Sequence, residues 1–150
     1  MGFVCQGRYA LAPIEPTDAE KYVNLQLDCM EQTYDPIYFD TLGESFTARH
    51  RAERNEYLED FHRHLSSPTV RGFFAYEVPG WTPDGGLSCS IGVRIDWDKP
   101  VGLALSLCEP SSWELERADN LPELPAGTRK LVHLYTLDHT HGTGLGQALY

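Results

Sequence analysis

Basic residues are scarce. Lys and Arg total 12 against 22 Asp and Glu, which leaves a formal net charge of −10. So acidic a chain repels a bare phosphate backbone, which argues against nucleic acid as a partner. A cationic or amine-bearing substrate suits its field better. Long apolar runs are also missing. None approaches the roughly 20 residues that span a bilayer, so no membrane partner is expected. The four cysteines (Cys5, Cys29, Cys89 and Cys108) are scattered, with no Cys-x-x-Cys pair. That spacing predicts four free thiols in a reducing compartment. The chain does not open with a basic segment followed by an apolar core. Met1-Gly2 is followed by Gln6, where a myristoylation signal needs Ser or Thr. The expected location is the cytoplasm. Internal repeats and low-complexity tracts are absent as well.

What is present is one domain's worth of globular composition. The 150 residues are 41% hydrophobic and 23% charged, enough for a real core without staples. Gly7–Ile14 reads as a first strand, with Pro13 suited only to an edge or an end. Thr17-Asp18-Ala19-Glu20 has capping-box spacing. Ala19, Val23, Leu27 and Met30 follow at helical intervals, which predicts a helix over about 18–33. Tyr34-Asp35-Pro36-Ile37-Tyr38-Phe39 is an aromatic connector that either lines an acceptor pocket or packs a loop on the core. Phe46 to Leu65 reads as a second amphipathic helix, with Tyr57, Leu58, Phe61 and Leu65 on one stripe. Its His50, His62 and His64 are expected on a solvated face rather than around a metal.

The middle of the chain has strand character. Val70–Val78 is rich in β-branched and aromatic residues. Leu87, Cys89, Ile91, Val93 and Ile95 alternate with small and polar neighbours, as in a strand with one buried face. Val101–Leu107 continues an antiparallel meander. Glu109–Thr128 carries Pro110, Pro122 and Pro125. It reads as a loop, either an insertion near a site or a solvated linker. Leu131–Leu137 is the fourth main strand.

Chemistry concentrates after that strand. His139-Thr140-His141-Gly142-Thr143-Gly144-Leu145-Gly146-Gln147 joins an apolar strand to the start of a helical pattern. Glycines allow positive φ and close backbone approach. A turn entering a helix aims free N–H groups at an anion. The segment therefore reads as a pyrophosphate cradle made of backbone amides. A Walker A loop would need Lys where Gln147 stands. A dinucleotide fingerprint would need Gly-x-Gly-x-x-Gly and an acidic residue about 20 positions later, and neither is present. His133, His139 and His141 lack an evident fourth ligand, so no metal is expected.

His141-Gly142-Thr143-Gly144-Leu145-Gly146 resembles the signature loop of the GNAT acetyltransferase superfamily. That signature is Arg/Gln-x-x-Gly-x-Gly/Ala, and here His141 occupies its first position. The order of elements before it is also similar to the family. The resemblance implies an α/β (α+β) domain with a mixed, mainly antiparallel sheet and helices on its faces. It implies acetyl-CoA as co-substrate and no metal. The backbone of Leu134, Tyr135 and Thr136 would run beside the pantetheine arm. His141, Gly142, Thr143, Gly144, Leu145, Gly146 and Gln147 would take the pyrophosphate. The reaction would be direct acetyl transfer to a primary amine, on a small molecule or a peptide. His133 is the catalytic candidate on the strand, since it titrates in the right range. A complete family member continues with a longer helix, another strand and further elements. On that ground residues 1–150 are expected to form a single, incomplete acyltransferase domain, truncated after the fourth main strand and weak or inactive alone. The alternative is a non-catalytic interaction module that pairs with a partner, or with itself as a homodimer, through an uncovered sheet face or edge.

Overall fold

The computed structural model describes residues 2–83, 94–110, 112–117 and 123–150. Its sheet has five strands in the order β1-β2-β3-β4-β5, all antiparallel: β1 (Val4–Gln6), β2 (Tyr9–Pro13), β3 (Arg71–Glu77), β4 (Gly102–Leu107) and β5 (Lys130–Thr136). β1 was not foreseen. It exists because Gly7, at φ 61°, and Arg8 turn the chain back with Gln6 opposite Tyr9, and glycine suits the first place of a two-residue hairpin. Pro13 ends β2, where its missing N–H costs the ladder little.

The predicted first helix is longer than its periodicity suggested. α1 runs Ala19–Leu42, through Pro36 and the aromatic connector. Proline removes one helical hydrogen bond, but the turn is held from outside. The Asp35 carboxylate accepts from the Ser45 hydroxyl at 2.7 Å and from the Thr47 amide at 2.9 Å. The capping box lies earlier than expected: Asp18 closes a 3-10 turn over Pro16–Asp18 by accepting from the Glu15 amide, while Glu20 pairs with Arg54. The predicted second helix is two: α2 (Phe46–Ala52) and α3 (Arg54–Leu65), parted at Glu53. Within the expected loop, α4 (Ser112–Arg117) is helical. The alternating strand Leu87–Ile95 lies outside the described residues but for Arg94 and Ile95, which are not in a strand, and Ile95 packs against the core.

Register assigns each sheet face its cover. Ala10 faces Tyr76 and Ala12 faces Phe74; Phe74 opposes Leu103, and Leu105 opposes His133. These residues share the side covered by α1 and α3, where Tyr22 sits 4.9 Å from Phe61, ring to ring. On the opposite side Tyr9, Ala75 and Ala104 form a smaller core with Leu145 and Leu149 of α5 (Leu145–Leu149). A register shift between Leu105 and Ser106 makes Val132 an extra residue in β5 just before His133.

The cysteine expectation needs one correction. Cys29 and Cys108 are free, but Cys5 is disulfide-bonded. Scattered spacing does not exclude a bridge, because pairing is decided in space. The inference to a reducing compartment loses its basis. Among the described residues no helix is long and apolar enough to cross a membrane.

Candidate functional site

β5 lies at the sheet edge, and among the described residues no strand pairs with its outer side. The Leu137 amide donates inward to the Val101 carbonyl at 2.9 Å. In an antiparallel pair alternate residues face opposite neighbours, so the peptide groups of Thr136 and Leu134 face the open edge. The Thr136 carbonyl is accordingly free to meet Nε2 of His141, at 3.3 Å. An outward line of peptide donors and acceptors thus leads to the glycine loop.

The loop is pinned at several points. A 3-10 turn over Asp138–Thr140 follows β5, and the Asp138 amide donates to Oε1 of Gln32 at 2.8 Å. Thr140 is buried and donates its hydroxyl to the Leu137 carbonyl at 2.6 Å. The Thr143 hydroxyl bonds the Thr140 carbonyl and lies 2.6 Å from the Tyr9 hydroxyl. Gly142 and Gly144 have φ of 76° and 85°, values L side chains rarely adopt. Gly144 caps α5, whose Leu145 and Leu149 seat against β4. They fit because residue 102 is glycine: a Cβ there would meet Leu145 Cδ2 at 3.0 Å and Leu149 Cδ1 at 3.1 Å.

Pinning leaves donors over. Among the described residues, no protein acceptor meets the amides of Gly142, Gly144, Leu145, Gly146 or Gln147. The last three belong to the first turn of α5, where amides have no intrahelical partner. A Cβ at Gly142, Gly144 or Gly146 would find nothing within 4 Å. Free amides in open space at a helix start fit an anion. The sequence reading missed one neighbour of this loop. A cavity of about 400 Å³ joins Gly144 and Gln147 to Arg8 and Trp81. The Arg8 guanidinium lies over Tyr9 and Trp81, 5.4 and 5.5 Å from the ring centres. Its place in a hairpin turn, far along the chain, gave no signal.

His133 stands on the helical side of β5. Its Nδ1 is 2.7 Å from the Tyr22 hydroxyl, and no protein partner meets Nε2 among the described residues. Burial, and then the charge of His64, hold its pKa down at about 4. His64 corrects an expectation. It is not on a solvated face but buried, 5.6 Å ring to ring from His133 and perpendicular to it. Its Nδ1 is buried without a hydrogen-bond partner, 3.5 Å from Asp60. Burial lowers its pKa, and Asp60 opposes that shift. His50 takes the Tyr57 hydroxyl. His139 turns to Glu77, at 3.3 Å, and away from His141. Among the described residues no three His, Cys, Asp or Glu side chains gather as metal ligands.

No family model matches the sequence, and no curated protein matches it. Solved structures do. Over 99% of its length the chain superposes on the aminoglycoside N-acetyltransferase AAC(6')-Iy in complex with CoA, at 13% identity and a TM-score of 0.50. A second structure of AAC(6')-Iy, with the bisubstrate analogue CoA-S-monomethyl-acetylneamine, aligns with 94% of the chain at 13% identity and a TM-score of 0.48. The chain spans just under two thirds of these proteins, 66% and 65% of their lengths. The fold is GNAT-like, a mixed α/β arrangement of an antiparallel sheet with helices on its faces.

Proposed function

We propose that the chain binds acetyl-CoA and serves acetyl transfer to a primary amine. The observation that carries this reading is the set of amides of Gly142, Gly144, Leu145, Gly146 and Gln147, unpaired among the described residues, at the end of an open strand edge. Their partner is the pyrophosphate, with His141, Thr143 and Gln147 around it and Arg8 beside it. Leu134, Tyr135 and Thr136 form the rail for the pantetheine arm, through the outward peptide groups of Leu134 and Thr136. This arrangement works in an acidic protein because its donors are chiefly backbone dipoles.

Bound acetyl-CoA supplies a thioester carbonyl for a neutral amine to attack, and the thiolate departs as the amine loses a proton. An outward N–H of β5 is placed to meet the carbonyl oxygen as it gains charge. His133 is neutral at pH 7, with its pKa at about 4. In the tautomer with Nδ1–H donating to the Tyr22 oxygen, the Nε2 lone pair is free. It accepts an N–H of the amine and takes the proton only as positive charge grows on nitrogen. So weak a base cannot deprotonate an ammonium first; the acceptor arrives neutral or sheds that proton to water.

Calorimetric titration of the chain with acetyl-CoA tests the reading. Saturable binding that weakens in Gly144→Glu is expected. Undetectable binding would sink it. A second reading has one observation of its own. Phe73 on the central strand β3, and Leu131 and Leu134 on the edge strand β5, are each at least 40% exposed. That surface favours pairing of two copies, which sedimentation would reveal as a concentration-dependent dimer.

A further inference from the structure

A cavity of about 550 Å³ opens between the C-terminal end of α3, the end of β4 and the start of β5. Its polar walls carry two ion pairs, Asp60 with Arg63 and Glu114 with Lys130, together with His64, Glu109 and His133. Glu109 is unusual among them. Its carboxylate accepts from the Thr69 and Ser67 hydroxyls, the latter at 2.9 Å, and these bonds hold its carboxyl below the ordinary range. It is therefore ionised and fixed in place. Yet among the described residues no Lys, Arg or His lies within ion-pair distance of it, whereas Asp60 has Arg63 at 2.9 Å and Glu114 has Lys130. On the far wall stand His133, with Nε2 unpartnered, and His64, with a buried unpartnered nitrogen. A fixed anion in no direct salt bridge, with the Arg129 charge acting on it only from further off, thus shares a cavity with two imidazoles that have hydrogen-bonding capacity to spare.

Register sets their separation. Leu105 pairs with His133, and Glu109 lies four residues further along the same chain. At about 3.3 Å per residue, the Glu109 Cα lies roughly 13 Å at most from that of Leu105, the cross-strand neighbour of His133. We propose that this cavity is the acceptor end of the site and that it takes a slender di- or polyamine. One ammonium rests on Glu109, and the amine at the other end reaches Nε2 of His133. The inference rests on the transfer reading above for its chemistry, but its ligand class rests on the cavity alone. The net charge of −10 draws polycations toward it.

The test is a series of α,ω-diamines with three to ten methylenes, set against monoamines of equal length. Calorimetry reads affinity, and the ring resonances of His64 and His133 read the position of the far amine. Affinity is expected to rise at least tenfold once the diamine spans from Glu109 to His133, and only those diamines should shift the His133 ring. Glu109→Gln keeps an oxygen for the Ser67 and Thr69 hydroxyls and should abolish the length preference. Glu109→Asp should move the optimum to a longer diamine. Length-independent binding, or an unchanged preference in Glu109→Gln, would overturn the proposal. Acetyl-CoA is titrated into the same samples. A diamine length optimum without acetyl-CoA binding defeats the transfer reading and leaves the diamine site. Acetyl-CoA binding without a length optimum defeats the diamine site alone.

Discussion

The hydroxyl of Tyr22 and Nδ1 of His133 stand 2.7 Å apart, across 111 positions of sequence. This bond ties α1 to the edge strand and fixes the plane of the imidazole. One ring nitrogen is committed to the core, and the other is left for the cavity. Tyr22 is itself held by Phe61 and Phe74, with ring centres 4.9 and 6.2 Å away. The orientation of His133 is therefore set by packing on three elements.

Tyr22→Phe should separate that orientation from mere volume. The ring stays and the hydroxyl goes, leaving Nδ1 of His133 unsatisfied, at a cost of about 1–2 kcal/mol. Denaturant midpoints measure that loss. In an acetyl-transfer assay the turnover number should fall while the KM for acetyl-CoA is unchanged, since no cradle contact is touched.

His133 also makes stability depend on pH. Its folded pKa of about 4 lies below the ordinary 6.5. The unfolded chain therefore binds the proton more tightly, and protonation favours unfolding. The contribution is fully present above pH 6.5 and is lost progressively as pH falls toward 4. At 1.36 kcal/mol per pKa unit it amounts to about 3 kcal/mol. His64 is shifted in the same direction and adds to the slope. Unfolding free energies measured from pH 7 to pH 4 should show a shallower slope in His133→Gln, with His64 and, toward the acid end, the carboxylates of Asp35 and Glu109 contributing to the remainder.

Local signals in the sequence were sound where the physics was local. The glycine loop, β3, β4 and β5 were all legible, because alternation and positive-φ chemistry belong to neighbouring residues. Failures came where distant residues decide. Asp35 is an unremarkable acid until Ser45 and Thr47 fold back to it and carry α1 past Pro36. His64 belongs to a charged helical stretch until β5 covers it. Arg8 and Trp81 meet the glycine loop only through the sheet. His133 was singled out from its strand alone, and nothing in that strand announces Tyr22.

The glycines of the cradle should divide into two kinds. Gly144, at φ 85°, tolerates no side chain without strain of roughly 1–2 kcal/mol. Gly146 lies in α5 with open space where a Cβ would sit. Gly146→Ala should therefore keep or slightly raise thermal stability, since alanine favours the helix by about 1 kcal/mol. If the pyrophosphate lies there, the added methyl should weaken acetyl-CoA binding about tenfold. Arg8→Gln should also weaken it and should flatten its salt dependence. Unchanged affinity in both variants would move the phosphate elsewhere.

Gly102 tests whether the cradle depends on how α5 is docked. A Cβ at 102 would lie 3.0 Å from Leu145 Cδ2, 3.1 Å from Leu149 Cδ1 and 3.2 Å from the Tyr135 carbonyl. The carbonyl belongs to the β4–β5 ladder and the two leucines are packed in the core, so all three contacts resist the methyl. Gly102→Ala should thus cost about 1–3 kcal/mol through overpacking. Acetyl-CoA affinity should fall with it, although residue 102 meets the loop only through the buried side chain of Leu145. Leu149→Ala alone removes a buried side chain and should destabilise by about 2–5 kcal/mol. Combined, the two changes should cost less than their sum, because the smaller residue at 149 makes room for the methyl at 102. A double-mutant cycle on unfolding free energy measures that coupling. Strict additivity would mean that α5 is not seated on β4 through this contact, and the support for the cradle would then have to come from Thr140 and Thr143 instead.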